Sequence, residues 1–118
     1  MAKSDVKKLR SPEIKVITNG NVPETTYFDR NGYRIIAKVE NGQFILTRYG
    51  WGEDPEKADS IVVSPNDTRR LMDSLKVKHH DTLIRALGKR FALKEPHNSF
   101  VKILVSLGRR GIPFQRSE

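Results

Sequence analysis

Two tyrosines with two basic residues between them form a pattern that suits the binding of unpaired nucleic-acid bases. Tyr27 and Tyr49 provide flat rings on which a base can stack, and between them in sequence Arg34 and Lys38 can contact phosphates. Stacking contributes about 1–3 kcal/mol per base, and each phosphate contact adds affinity that depends on salt. These four residues are the first candidates for a binding site.

Arg48 and Trp51 flank the second tyrosine and extend this set. Arg48 falls on the otherwise apolar side of the predicted sheet, so it either lies beyond the edge of the core or is turned outward by a bulge. Trp51 stands between Gly50 and Gly52. An exposed Trp51 would stack on a base, whereas a buried one would close the end of the sheet.

Five further basic residues near the C-terminus are candidates for nonspecific contacts to a polyanion. They are Arg85, Lys89, Arg90, Arg109 and Arg110. The last two have an alternative role, because cations at the C-terminal end of a helix complement its dipole.

Residue types that support catalysis or metal binding do not occur in suitable arrangements. The chain has no cysteine, which excludes disulfides, zinc knuckles, iron–sulfur sites and thiol catalysis. Gly-x-Ser-x-Gly, a phosphate-binding glycine loop and His-Glu-x-x-His are all missing. The adjacent His79 and His80 point apart, and the acidic residues between 53 and 59 lack calcium-loop spacing. We therefore expect no enzyme activity, no metal and no cofactor.

The charge is basic and unevenly distributed over the 118 residues. Lys and Arg number 22 against 14 Asp and Glu, a net charge of +8, with +4 in residues 1–50, −3 in 51–75 and +7 in 76–118. This layout either orients a polyanion or is an ordinary solvated surface. No apolar run approaches the roughly 20 residues of a membrane span, and no signal peptide is recognisable. We expect a single cytoplasmic domain without membrane contact.

Two Asn-Gly pairs predict the central sheet. Asn31-Gly32 and Asn41-Gly42 favour two-residue type I′ turns, so the segments 24–30, 33–40 and 43–49 should form an antiparallel meander. Apolar runs at 14–17 and 60–63 predict two more strands.

The register set by these turns assigns the side chains to two faces. The predicted core face carries Phe28, Tyr33, Ile35, Ala37, Val39, Phe44 and Leu46. The predicted outward face carries Tyr27, Arg34, Ile36, Lys38, Ile45, Thr47 and Tyr49, with Asp29 and Glu40 at its edges. This outward face is either open to a ligand or covered by the C-terminal helices through its two isoleucines.

Three helices should follow the sheet. Ser64 is a good N-cap before Pro65, so a first helix should begin there and end near Leu75. Apolar periodicity predicts helices over about 81–93 and 97–109. The last is too apolar for a DNA-recognition helix and fits a core or dimerisation helix.

Together these elements predict an α+β fold, a four- or five-stranded mostly antiparallel β-meander followed by three helices. Residues 1–12 are expected to be a flexible basic arm. Residues 13–118 are expected to form one domain, with the sheet within 13–63 and the helices within 65–110.

The meander, then Arg48-Tyr49-Gly50-Trp51 leading into an acidic loop, then an apolar strand and a Ser-Pro-capped helix resemble the transcriptional-coactivator-like single-stranded-DNA-binding family. The resemblance covers roughly residues 24–75. It implies a curved antiparallel sheet that holds unpaired strands, usually in a dimer, so a homodimer is one expectation. Ala58-Asp59 stands where that family tends to carry Lys-Gly, and two further helices follow.

We therefore expect a non-enzymatic nucleic-acid-binding protein, for single-stranded DNA first and RNA second, with little sequence preference and a role in transcription regulation. The alternative is a small regulatory adaptor that binds an acidic protein partner, with its apolar third helix at the interface.

Overall fold

A computed structural model of the chain describes residues 14–50 and 57–117. Within these residues the fold is α+β, a six-stranded antiparallel sheet with three α-helices, which confirms the predicted class and adds strands to the four or five expected. The predicted basic arm, Trp51 and most of the acidic loop lie outside the described residues.

In chain order the elements are β1 (Ile17–Asn19), β2 (Val22–Arg30), β3 (Tyr33–Glu40), β4 (Gln43–Tyr49), β5 (Ala58–Val63), α1 (Pro65–Leu75), α2 (His80–Phe91), the short 3-10 helix Pro96–Asn98, α3 (Ser99–Arg109) and β6 (Gln115–Ser117).

The two Asn-Gly pairs form the predicted hairpins. Asn31 and Gly32 have φ of 56° and 81°, and Asn41 and Gly42 have φ of 55° and 79°, as the two central positions of type I′ turns require. In both hairpins the residues that flank the turn face each other, as predicted. The strands therefore follow one another in space in sequence order from β1 to β6.

A β-bulge in β2 changes the orientation of Tyr27. A regular hairpin would place Tyr27 opposite Ile36 on the outward face. In the structure Thr26 pairs with Ile36 and Phe28 with Ile35, so Tyr27 is the extra residue. Its side chain is 6% exposed and belongs to the core. The predicted outward position of Tyr27 is therefore wrong.

The three helices cover the core face of the sheet. Five of the seven residues predicted for that face are buried, namely Ile35, Ala37, Val39, Phe44 and Leu46. The other two, Phe28 and Tyr33, are half-buried, with ring centroids 5.6 Å apart. The helices pack apolar side chains into the same cluster, including Leu71, Leu83 and Phe100. The alternative in which the helices cover the outward face is therefore wrong for the described residues.

α1 begins and ends where the sequence predicts. The backbone N–H of Asp67 donates to Ser64 Oγ over 3.2 Å, which caps the helix whose first residue is Pro65. The buried Thr68 hydroxyl then ties this helix to the sheet. It donates to the Val63 carbonyl over 3.2 Å and accepts from the Phe44 N–H over 3.0 Å.

β6 is the strand that the sequence did not predict. After α3 the chain turns at Gly111, which has φ of 69°, and Ile112 returns to the core, where it is 4% exposed. Phe114 is half-buried against the same cluster. The next three residues pair antiparallel with β5, because its outer edge is otherwise unpaired.

Candidate nucleic-acid interface

The outward side of the sheet presents a surface that the described helices leave open. We call this surface the open sheet face. A shallow depression of about 340 Å³ lies on it. The open sheet face consists of Arg34 and the residues that line this depression, namely Glu24, Ile36, Lys38, Ile45, Thr47, Tyr49 and Ser60.

Arg34 and Tyr49 form a stacked pair at one end of the open sheet face. They are cross-strand partners on β3 and β4, and the Arg34 guanidinium carbon lies 5.1 Å from the centroid of the tyrosine ring. This is a cation–π contact within the usual distance. Arg34 is exposed and Tyr49 is half-buried. The pair therefore offers two flat groups on which a base can stack, with a positive charge beside them.

Lys38 supplies the second charge of the open sheet face, four residues further along β3. Its Nζ lies 3.2 Å from a carboxylate oxygen of Glu40, and 34% of the lysine side chain is exposed. Glu24 is the cross-strand neighbour of Lys38 on β2. Two carboxylates therefore flank this amine, so a phosphate that approaches Lys38 must compete with them.

The centre of the open sheet face is apolar and has its polar groups paired. Ile36 and Ile45 lie on adjacent strands and are half-buried. Thr47 and Ser60 face each other across β4 and β5, and their hydroxyl oxygens are 2.8 Å apart in a hydrogen bond. Because this bond uses only one of the two O–H donors, one hydroxyl proton remains for a ligand, and the rest of the centre favours flat apolar groups.

Tyr27 does not contribute to this surface. Its hydroxyl donates a 2.6 Å hydrogen bond to the buried carbonyl of Ile84 in α2. Burial raises the pKa of the Tyr27 hydroxyl far above its ordinary value, so it stays protonated and keeps this bond. The residue therefore joins β2 to α2 and is unavailable for stacking.

Arg48 lies on the core side of β4, and neither a bulge nor the core edge frees it. Its Nε and Nη2 are 3.2 and 3.0 Å from one oxygen of the fully buried Asp59, its partner on β5. Its guanidinium carbon also lies 4.4 Å from the centroid of the Phe100 ring in α3. Arg48 thus holds the sheet to the helices, and 14% of its side chain is exposed.

Asp59 is held by a second arginine as well. Arg116 of β6 places Nε 3.1 Å from one carboxylate oxygen and Nη2 2.6 Å from the other. Burial alone would raise the pKa of this carboxyl, but the hydrogen bonds from Arg116 and Arg48 outweigh it, and the pKa of Asp59 lies below its usual value. The sequence places Asp59 in an acidic loop, and only β5–β6 pairing shows its structural role.

The remaining five candidates lie in the helix layer and do not join the open sheet face. Arg85, Lys89 and Arg90 belong to α2, and Arg109 ends α3. Arg110 follows α3 and donates to the hydroxyls of Ser106 and Ser74, over 3.2 and 3.0 Å. The structure therefore brings together Arg34, Lys38 and Tyr49 but separates them from these cations by the thickness of the domain.

Glu24 and Ser60 belong to the site although the sequence did not single them out. The bulge moves Glu24 beside Lys38, and the β4–β5 register places Ser60 beside Thr47. Glu40 was predicted at the edge of this face, and it lies beside Lys38, two residues away on the same strand.

Within residues 14–50 and 57–117, no three His, Asp or Glu side chains come together in a group that could hold a metal ion. Over the same residues, no helix has both the length and the apolar character that a membrane span requires.

Comparison with protein-family models, curated proteins and solved structures finds no significant match to this chain.

Proposed function

We propose that this protein binds single-stranded nucleic acid on the open sheet face, DNA in preference to RNA, without catalysing a reaction. The observation that carries the proposal is the cation–π pair of the exposed Arg34 and the half-buried Tyr49, on a sheet face that the described helices leave uncovered. Flat groups beside cations are what unpaired bases and their phosphates require. We propose the cytoplasm as the site of action, and a role in transcription regulation as the expected context.

The dimensions of the sheet suit a short length of strand. The open sheet face extends over β2 to β5, and three interstrand spacings of about 4.8 Å give a width of about 14 Å. The sheet ladder uses the backbone hydrogen-bonding groups, and the bond between Thr47 and Ser60 leaves one O–H donor between them. Few groups remain to read base edges, so the proposal includes little sequence preference.

The test is fluorescence anisotropy with labelled single-stranded DNA, single-stranded RNA and duplex DNA of equal length, at two salt concentrations. We expect Arg34→Ala with Lys38→Ala to weaken single-strand binding and to lower the salt slope by about 1.4, since each lost contact removes about 0.7. The matched control is Lys89→Ala with Arg90→Ala, which removes the same charge from the helix layer. Equal slopes for the two double variants would contradict a site on the open sheet face.

A variant that should bind single strands more tightly tests the same site. Glu40→Gln removes the carboxylate that lies 3.2 Å from Lys38 Nζ. A phosphate then competes with one carboxylate near Lys38 instead of two, so we expect single-strand affinity to rise several-fold at low salt. Unchanged or weaker binding would indicate that Lys38 does not contact the strand.

A further inference from the structure

The helix layer carries an apolar pair of side chains that the core does not use. Val101 and Val105 of α3 are 52% and 48% exposed, although four other residues of this helix are buried. Four residues apart on a helix, they lie one turn apart on the same face. Single exposed apolar side chains are ordinary, but an adjacent pair forms the start of a patch.

An open groove lies between α3 and the end of α2, and Val105 of this pair is part of its lining. We call it the α3 groove. It has a volume of about 490 Å³ and is lined by Phe91, Lys102, Val105, Ser106, Arg109 and Arg110. Its floor is therefore an aromatic ring and a valine, and its rim carries three cations.

The charges around the α3 groove are almost all of one sign. α3 contains no acidic residue, and Arg90 and Lys94 at the end of α2 add further positive charge. The carboxylate of Glu95 is used by Lys102, whose Nζ lies 2.7 Å from it. Arg109 is exposed and makes no ion pair within the described residues.

The charge and the apolar side chains of the α3 groove favour one kind of ligand over two others. A second copy of this helix would bring its own lysine and arginine against the same cations, with no acid in α3 to offset them. A nucleic acid would match the charge, but its phosphates would leave Val101 and Val105 unused. A segment with carboxylates on one side and apolar side chains on the other satisfies both the rim and the floor.

We propose that the α3 groove docks an acidic, amphipathic segment of a partner protein. Apolar side chains of the segment cover Val101, Val105 and the Phe91 ring, and its carboxylates pair with Arg109 and Lys102. The groove belongs to the helix layer, so an occupied groove leaves the open sheet face accessible. This proposal stands independently of nucleic-acid binding.

The probe is a labelled helical peptide of about 15 residues, with glutamates on one face and leucines at helical spacing on the other. A second peptide replaces every leucine by alanine and keeps the charge. Anisotropy should show saturable binding of the leucine peptide and at least about tenfold weaker binding of the alanine peptide. Equal binding of the two peptides would overturn the proposal, because charge alone would then explain the interaction.

Variants of the protein locate the site. Val101→Ser with Val105→Ser changes exposed positions only, so the fold should survive, and the leucine peptide should bind about tenfold more weakly. Arg109→Glu should weaken it similarly, whereas Lys78→Glu, the same charge change outside the groove, should have a much smaller effect. Equal loss from both charge reversals, or none from the serine variant, would place the peptide elsewhere.

Two further readouts separate the other occupants. The serine variant should bind single-stranded DNA as the unchanged protein does, and its mass in solution should also be unchanged. Weaker DNA binding by this variant would make the α3 groove a nucleic-acid surface and overturn the proposal. Loss of a dimer in this variant would make the groove a contact between two copies and would overturn it as well.

Discussion

Arg48 is a residue whose role differs between the interpretation of the sequence and the contacts in the structure. An arginine beside a tyrosine and a tryptophan is typical of a nucleic-acid site. In the structure its charge is neutralised by Asp59, which is fully buried, and its flat group covers the Phe100 ring. A charge held in this way is costly to leave unpaired, so it serves the fold and not a ligand.

Asp59→Asn tests this role. The substitution removes the carboxylate charge that faces Arg48, whose side chain is only 14% exposed, so we expect the free energy of unfolding at pH 7 to fall by about 3 kcal/mol. Urea unfolding measures this difference. The control is Asp73→Asn, an exposed position on α1, which should change the free energy by less than about 0.5 kcal/mol.

The ion pair between Asp59 and Arg48 predicts that the free energy of unfolding depends on pH. Because the pKa of Asp59 is lower in the folded than in the unfolded protein, its contribution is complete above the ordinary aspartate pKa of about 3.9. The contribution is lost as the pH falls through the folded-state pKa. We expect the stability difference between the unchanged protein and Asp59→Asn to be constant above about pH 5 and to shrink below about pH 4. A constant difference down to pH 2 would contradict the pairing.

At the scale of elements, the contact between β2 and α2 determines which residues lie on the outward face of the sheet. The bulge turns Tyr27 inward, where its hydroxyl reaches the Ile84 carbonyl. The ring then passes close to Gly88 in the middle of α2. A Cβ at Gly88 would lie 3.0 Å from Tyr27 Cε1 and 3.0 Å from Cγ1 and Cγ2 of Ile14. The glycine that weakens the helix locally is therefore required by packing.

Gly88→Ala and Gly108→Ala should have opposite effects. Alanine favours a helix by about 1 kcal/mol, but at Gly88 the crowding of Tyr27 and Ile14 costs more, so we expect a net loss of about 1 kcal/mol. At Gly108 in α3 a Cβ meets no atom within 4 Å, so we expect a gain of about 0.5 kcal/mol. Thermal unfolding of both variants measures the contrast. A gain in both would show that the segment around Ile14 yields without cost.

At the scale of the whole molecule, charge and flat binding groups lie on opposite sides. Residues 65–114, which contain the helices, carry 11 Lys and Arg against 4 Asp and Glu, a net charge of +7 out of +8. The open sheet face carries Arg34 and Lys38 against Glu24 and Glu40. The helix layer therefore attracts polyanions from a distance, whereas the open sheet face can retain a strand by contact.

This division predicts different kinetics for the two faces. Lys89→Glu with Arg90→Glu lowers the net charge from +8 to +4, since each reversal removes two units. We expect it to slow association with single-stranded DNA at low salt and to leave dissociation nearly unchanged. Arg34→Ala with Lys38→Ala should mainly speed dissociation. Stopped-flow measurement separates the two rates, and faster dissociation in the helix variant would place the bound strand on the helix layer.

The sequence by itself determined the features that depend on neighbouring residues. The Asn-Gly pairs set two hairpins and their register, and Ser64 with Pro65 set the start of α1, because turns and caps form from adjacent side chains and backbone. The positions of Arg34, Lys38 and Tyr49 on one face follow from this register and were predicted correctly.

Tertiary structure decided the features that join distant parts of the chain. The hydrogen bond that accompanies the bulge joins Tyr27 to Ile84, and β6 is held in part because Arg116 reaches Asp59, each across 57 residues. The helices lie on the core face because that face carries the larger apolar surface. No local pattern encodes these choices, since each depends on which distant groups burial brings within hydrogen-bonding or packing distance. That is why Tyr27 and Arg48 belong to the fold, while Arg34, Lys38 and Tyr49 lie on the open sheet face.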